Sequence, residues 1–167
     1  GELGLPVTVS EQYPAGLGQT VPELVPPPGT EVLAKTEFSC LRNRAIAERL
    51  AGLDRPQLVI LGIEAHVCVL QTVVQAVAEG FTPCVVADGI ASRRRENRDL
   101  GLARMRAAGA TVISTEMAVF EWLGSASAPA SVPPGTRSSR ARHTATGSGT
   151  ARPPAIRSCV RSRAISS

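Results

Sequence analysis

Short apolar runs alternate with segments of helical period along most of this chain, and that alternation constrains the fold more than any other feature. Leu5–Val9 (LPVTV) and Glu31–Lys35 (EVLAK) predict strands, separated by a Pro/Gly-rich stretch over residues 10–29 of the length usually reserved for functional loops. Asn43–Leu53 places Ile46, Leu50 and Leu53 on one helical face. Leu58–Ile63 (LVILGI) is a continuous apolar run, the pattern of a strand covered on both faces. Val67–Ala78 predicts a helix closed by Gly80, Thr82–Asp88 a further buried strand, Glu96–Ala108 a helix, Thr111–Ser114 a strand and Met117–Leu123 a short helix. The resulting β-α-β-α-β-α order predicts an α/β domain with a doubly wound, mostly parallel sheet and right-handed crossovers that put helices on both faces.

This grammar ends near residue 124. Of the 43 residues from 125 to 167, 30 are Ser, Ala, Pro, Gly or Thr, and none is Leu, Met or aromatic. Too little apolar surface is available to offset the entropy of ordering, so a disordered tail is expected beyond a single domain over residues 1–124. The tail also carries the charge. Residues 1–124 contain 11 Lys and Arg against 14 Asp and Glu, whereas the tail has seven Arg and no acid. An Arg-rich arm for nucleic acid is one reading of it, but the arginines are scattered and no aromatic is interleaved for base stacking, so nucleic acid is not the expected partner. A shifted reading frame in the coding sequence is an equally simple origin. No stretch has the length of a membrane span and no secretory signal opens the chain, which makes the cytoplasm the expected location.

Two residue types narrow the chemistry. The four cysteines, at 40, 68, 84 and 159, form no CxxC pair and are expected to be reduced thiols. With two histidines, one in the tail, no metal site is expected. Seventeen of the 18 basic residues are Arg, and the single Lys, Lys35, ends a predicted strand. A Lys retained where Arg serves every other basic position marks a place for a compact ammonium. Cys68 follows the buried strand Leu58–Ile63 and opens a helix. In doubly wound sheets ligands bind beyond the carboxyl ends of strands, where helix N-terminal amides favour a thiolate and an oxyanion. Lys35 shares that rim.

The segment Leu58–Thr72, LVILGIEAHVCVLQT, resembles the G-I-x-A/T-x-x-C-V-x-x-T block of isochorismatase-like cysteine hydrolases. VLAKTEFSC is similar to that family's Lys-containing segment, VTVSEQYPAGLG to its strand and loop after the first helix, and VVADGIASR and GLARMRAAGA to its next strand and helix. Within the family the metal-independent group is the nearest in pattern. The resemblance implies a Rossmann-like, three-layer fold, Cys68 as a nucleophile that forms a thioester from a small amide, and Lys35 as a catalytic Lys. It also implies oxyanion donors at the backbone N–H groups of Glu64 and Cys68, and a cis peptide between Ile63 and Glu64. Glu64, Phe38 and Gln12 are the expected substrate-contacting residues. No cofactor is expected, and a homo-oligomer is the expected assembly. The Asp-x-His metal ligands of nicotinamidases are missing after Val9, which argues against that activity.

One departure carries weight. The family's catalytic Asp ends a first, central strand that has no counterpart here, since Asp54 falls in a loop, Asp88 at a later strand end and Asp99 in a helix. The chain is therefore expected to be an N-terminally truncated member lacking that strand, which leaves a catalytically dead, folded or oligomerising remnant as the alternative function. Blander roles are expected for other residues. Cys84 reads as a core filler, His66 as a surface or pocket-lining residue, Tyr13 as pocket lining, Arg93–Arg95 as a solvated helix start, and Cys40 has no assigned role.

Overall fold

The computed structural model describes residues 4–125 apart from 25 and 27. The expectation of a disordered tail lies outside the described residues, Ser125 excepted. The contacts divide the chain into two units, one of them Val7–Thr115 and the other built from the residues before Val7 and after Thr115. Among the described residues Val7–Thr115 contains every strand: β1 (Val9–Gln12), β2 (Val32–Lys35), β3 (Gln57–Ile63), β4 (Thr82–Ala91) and β5 (Thr111–Ile113). Its helices are α1 (Pro14–Leu17), α2 (Arg44–Gly52), α3 (Leu70–Ala78) and α4 (Arg95–Ala107), and α5 (Thr115–Leu123) begins at its last residue. No helix among the described residues is long and apolar enough to cross a membrane.

The strands are all parallel and flanked by helices, as an α/β domain requires, but they form two sheets, β1–β2 and β3–β4–β5. β1 starts at Val9 instead of Leu5. The nearby Pro6 has no N–H to give a ladder. β4 extends to Ala91, three residues beyond the run that predicted it. Asn43 explains the start of α2, since its side chain accepts the Ile46 amide at 3.3 Å.

The crossovers from β3 to β4 to β5 advance in one direction, which sets α3 and α4 side by side. Between them and β4 lies a core of Val69, Leu70, Val73, Val85, Ile90, Leu102, Met105, Ala65 and Ala110. β4 is buried from Pro83 to Val86, as its apolar run predicts. β3 is not. Leu61 is 65% exposed and Ile63 71%, and among the described residues only one edge of β3 is paired. The expectation of a strand covered on both faces therefore fails for β3, because sequence hydrophobicity records what a strand could bury, and covering requires a layer packed on each face.

Gly101 allows α4 to approach the segment after β3. A Cβ at that position would sit 3.1 Å from His66 Cα and 3.2 Å from the Ala65 carbonyl oxygen. At the other end of the unit, the Asp88 carboxylate accepts the Thr115 amide at 2.8 Å and satisfies the first N–H of α5.

Two measurements follow from this packing. Met105 is fully buried in the core, so Met105→Ala is expected to lower unfolding free energy by ~2–5 kcal/mol in urea titrations, whereas exposed Leu100→Ala stays within ~0.5 kcal/mol. The Thr115 amide holds the Asp88 carboxyl below its usual 3.8. A depressed carboxyl contributes stability above its unfolded pKa and loses it as pH falls through the folded value. Between ~pH 5 and ~pH 3 the urea midpoint should thus fall more steeply in the wild type than in Asp88→Asn.

Candidate active site

The two sheets meet chemically at the carboxyl ends of their strands. Gln12 and Lys35 end β1 and β2 as register partners. Below them the Tyr13 amide donates to the Lys35 carbonyl at 2.7 Å and the Gln12 amide group donates to the Thr36 carbonyl at 2.7 Å. The Lys35 side chain is 4% exposed. Its ammonium has three donors, and all three find acceptors: Gln12 Oε1, the Glu37 carbonyl at 2.9 Å and the Phe38 carbonyl at 3.1 Å. Burying an unpaired ammonium would cost several kcal/mol, so this complete set is what permits the burial.

Cys68 reaches the same acceptor. Its Sγ donates to Gln12 Oε1 at 3.7 Å, so one amide oxygen receives both the sole Lys and the thiol. Cys68 lies in a π-helical turn, Ala65–Val69, that precedes α3. The Glu64 carbonyl accepts the amides of Val67 at 3.1 Å and Val69 at 3.2 Å, which fixes that turn to the end of β3. Thr72 supports it from below, donating through Oγ1 to the Cys68 carbonyl at 2.7 Å while accepting the Cys40 amide at 2.9 Å. The Ile63–Glu64 peptide is cis, as the resemblance implies.

Around this centre the remaining expected residues separate. Phe38 contributes its carbonyl to Lys35, and its ring is half exposed. The Glu64 side chain turns to another cluster, with Arg93 Nε 2.6 Å from Oε1 and His66 Nδ1 3.5 Å from Oε2. His66 in turn contacts Ser92 Oγ at 3.0 Å and Asn97 Nδ2 at 3.4 Å. Arg93 thus does more than open a solvated helix, although its side chain is 82% exposed. Tyr13 lines a cleft of about 310 Å³ together with Pro14, Ala15, Ala34, Lys35, Thr36 and Asn43. Its backbone is left-handed, with φ 43°, and its ring lies where a Cβ at Gly16 would be, 2.1 Å from Cε1. Cys84 is fully buried, in keeping with a core position.

The aspartates are engaged elsewhere. Asp88 holds Thr115, Asp99 pairs with Arg98 at 3.0 Å and Arg95 at 3.7 Å, and Asp54 occupies the turn after α2 with positive φ. Glu37, beside Lys35, is held below the usual carboxylate range first by its own backbone amide and then by Asn43. Among the described residues no group of three or more His, Cys, Asp and Glu side chains could hold a metal ion.

The sequence pointed to Cys68, Lys35 and Gln12 but missed Thr72 and Ser39. Ser39 Oγ donates to Gln75 Oε1 at 2.7 Å and ties the segment after β2 to α3. Two signals were available for the first: Thr72 is the last residue of the quoted block, and a Thr at i+4 from Cys68 can donate to the carbonyl at i.

Comparison with known proteins gives this arrangement a lineage. The chain is 42% identical over 123 residues to isochorismatase domain-containing protein 1 of Salmo salar, covering 73% of this chain and 43% of that protein. It is 37% identical over 131 residues to isochorismatase domain-containing protein 2 of Xenopus laevis, covering 77% and 62%. The chain thus spans between about two fifths and three fifths of the length of these relatives. Among solved structures, one described as MAR1 ribonuclease from Caenorhabditis elegans superposes with a TM-score of 0.68 at 33% identity, over 77% of this chain and 67% of that one. The YcaC product of Escherichia coli, described as an octameric hydrolase of unknown specificity, gives a TM-score of 0.61 at 27% identity, over 66% and 55%. The model of the isochorismatase domain matches residues 2–117, and the chain belongs to the isochorismatase family.

Proposed function

We propose that this chain carries the cysteine half of a hydrolase site that cleaves the C–N bond of a small amide. The observation that carries the reading is the convergence of Lys35 Nζ and Cys68 Sγ on Gln12 Oε1. In the proposed reaction the deprotonated Cys68 sulfur attacks the amide carbonyl, with the oxyanion received by the amides of Glu64 and Cys68. The C–N bond breaks as the nitrogen takes up the proton the thiol gave up, and it leaves as ammonia or an amine. Water then attacks the thioester, releasing the acid and restoring the thiol. Lys35 supplies a fixed positive charge beside the sulfur, and Gln12 orients both. No metal or other cofactor enters this scheme.

The family resemblance calls for a carboxylate as a third group, and we place it on a strand that would pair with the edge of β3 left unpaired among the described residues. Supporting that placement, β3 is paired along only one edge among the described residues, and the exposed Leu61 and Ile63 lie on one face that a layer packed over a wider sheet would cover. Without such a carboxylate, proton transfer would be slower by ~10²–10⁴. Reduced thiols and a thiol-dependent reaction fit a cytoplasmic setting, and the octameric relative supports a homo-oligomer here.

Alkylation and turnover test the reading separately. At ~pH 7, iodoacetamide should modify Cys68 faster than Cys84, and Lys35→Met should slow Cys68 about tenfold, the effect of losing one adjacent cation. Equal rates in the wild type and Lys35→Met would overturn the role given to Lys35. On a panel of small primary amides, ammonia release above the Cys68→Ala control supports the hydrolase. Release equal to that control would favour a folded remnant without catalysis.

A further inference from the structure

Cys40 is a thiol the hydrolase scheme does not use, and it is built into the same framework as Cys68. Cys40 Sγ lies 3.4 Å from Ser10 Oγ, and Cys68 Sγ 3.7 Å from Gln12 Oε1. Ser10 and Gln12 are alternate residues of β1, so they point to one face of the strand about 7 Å apart. Behind the two thiols, the Cys40 amide and the Cys68 carbonyl meet on a single atom, Thr72 Oγ1, at 2.9 and 2.7 Å. One hydroxyl oxygen therefore separates the two main chains. Disulfide formation requires Cα atoms within about 7 Å, and the two main chains here are bridged by two hydrogen bonds to one atom. Both cysteines are partly exposed, in contrast to buried Cys84.

We propose that Cys68 and Cys40 form a two-cysteine redox site for hydroperoxides. The Cys68 sulfur attacks the terminal peroxide oxygen, an S–O bond forms as the O–O bond breaks, and the departing oxygen takes the thiol proton. Sulfur is oxidised by two electrons and the peroxide reduced by two. Cys40 sulfur then attacks Cys68 sulfur, the S–S bond forms, the S–O bond breaks, and water leaves with the Cys40 proton. An external dithiol returns both thiols by exchange, becoming a disulfide itself. The hydrolase reading is not needed for this chemistry, since no amide, oxyanion or carboxylate takes part.

The test uses the full reduced chain, equimolar hydrogen peroxide, and peptide mapping by mass spectrometry without reductant. A Cys40–Cys68 link within one chain, removed by dithiothreitol, is the expected result. In Cys40→Ser the sulfenic acid has no resolving thiol, so dimedone labelling of Cys68 should rise about fivefold over the wild type. Equal labelling in the two proteins overturns the proposal. So does a wild type that keeps both thiols, or one that links Cys68 through Cys159 or to a second chain. Should Cys40→Ser not fold, as judged by circular dichroism, the wild-type map decides alone. Amide turnover is absent from every readout, so an inactive hydrolase does not affect the result.

Discussion

Burial of a single ammonium organises the functional end of this fold. A Lys kept from water must have each N–H matched, and Lys35 draws its three acceptors from different places: the end of β1 and two consecutive carbonyls after β2. Meeting that demand bends residues 36–38 back over the side chain and fixes the Gln12 amide, whose nitrogen donates to Thr36. With Gln12 held from both ends, its oxygen is presented to the sulfur of Cys68 in a known orientation. The order of cause runs from solvation to backbone to the Cys68 thiol. An Arg could not replace this Lys, because a planar five-donor fork does not match three acceptors gathered around one point.

The other half of the site depends on packing. α3 and α4 close on β4 through an apolar core, beside which Arg98 of α4 donates to the Ala87 and Ile90 carbonyls of β4, and the π-helical turn that carries Cys68 is pressed between the end of β3 and the surface of α4 at Gly101. A π turn widens the helix by one residue and is often found at functional positions. Here it sets Cys68 above Thr72, whose hydroxyl links the turn to the segment after β2. The two sheets, which share no ladder, are joined near the site by these side-chain bonds.

Much of this was readable from the residues, for identifiable reasons. Strands such as Thr82–Asp88 and helices such as Asn43–Leu53 announce themselves by period and by caps, which are local properties. Lys35 and Cys68 stood out because one is compositionally unique and the other follows a buried strand at the opening of a helix. The division into two sheets was not readable as such, since strand pairing is decided by neighbours remote in sequence. The same holds for the exposure of Leu61 and Ile63, whose hydrophobicity says what they would bury and nothing of whether a partner is present. Glu64 was expected at the site for its backbone, and that expectation carried no information about its side chain, which turns to Arg93 and His66.

Gly101 shows how a site can be exposed to inheritance at a position that takes no part in chemistry. Every single-base missense change of a glycine codon installs a side chain with at least a Cβ. At position 101 that atom would meet main-chain atoms of Ala65 and His66, which belong to the turn bearing Cys68 and cannot swing aside as a flexible side chain would. The whole missense spectrum of this codon therefore presses on the backbone of the turn that carries Cys68, which has to yield by a few tenths of an ångström to admit even a methyl group.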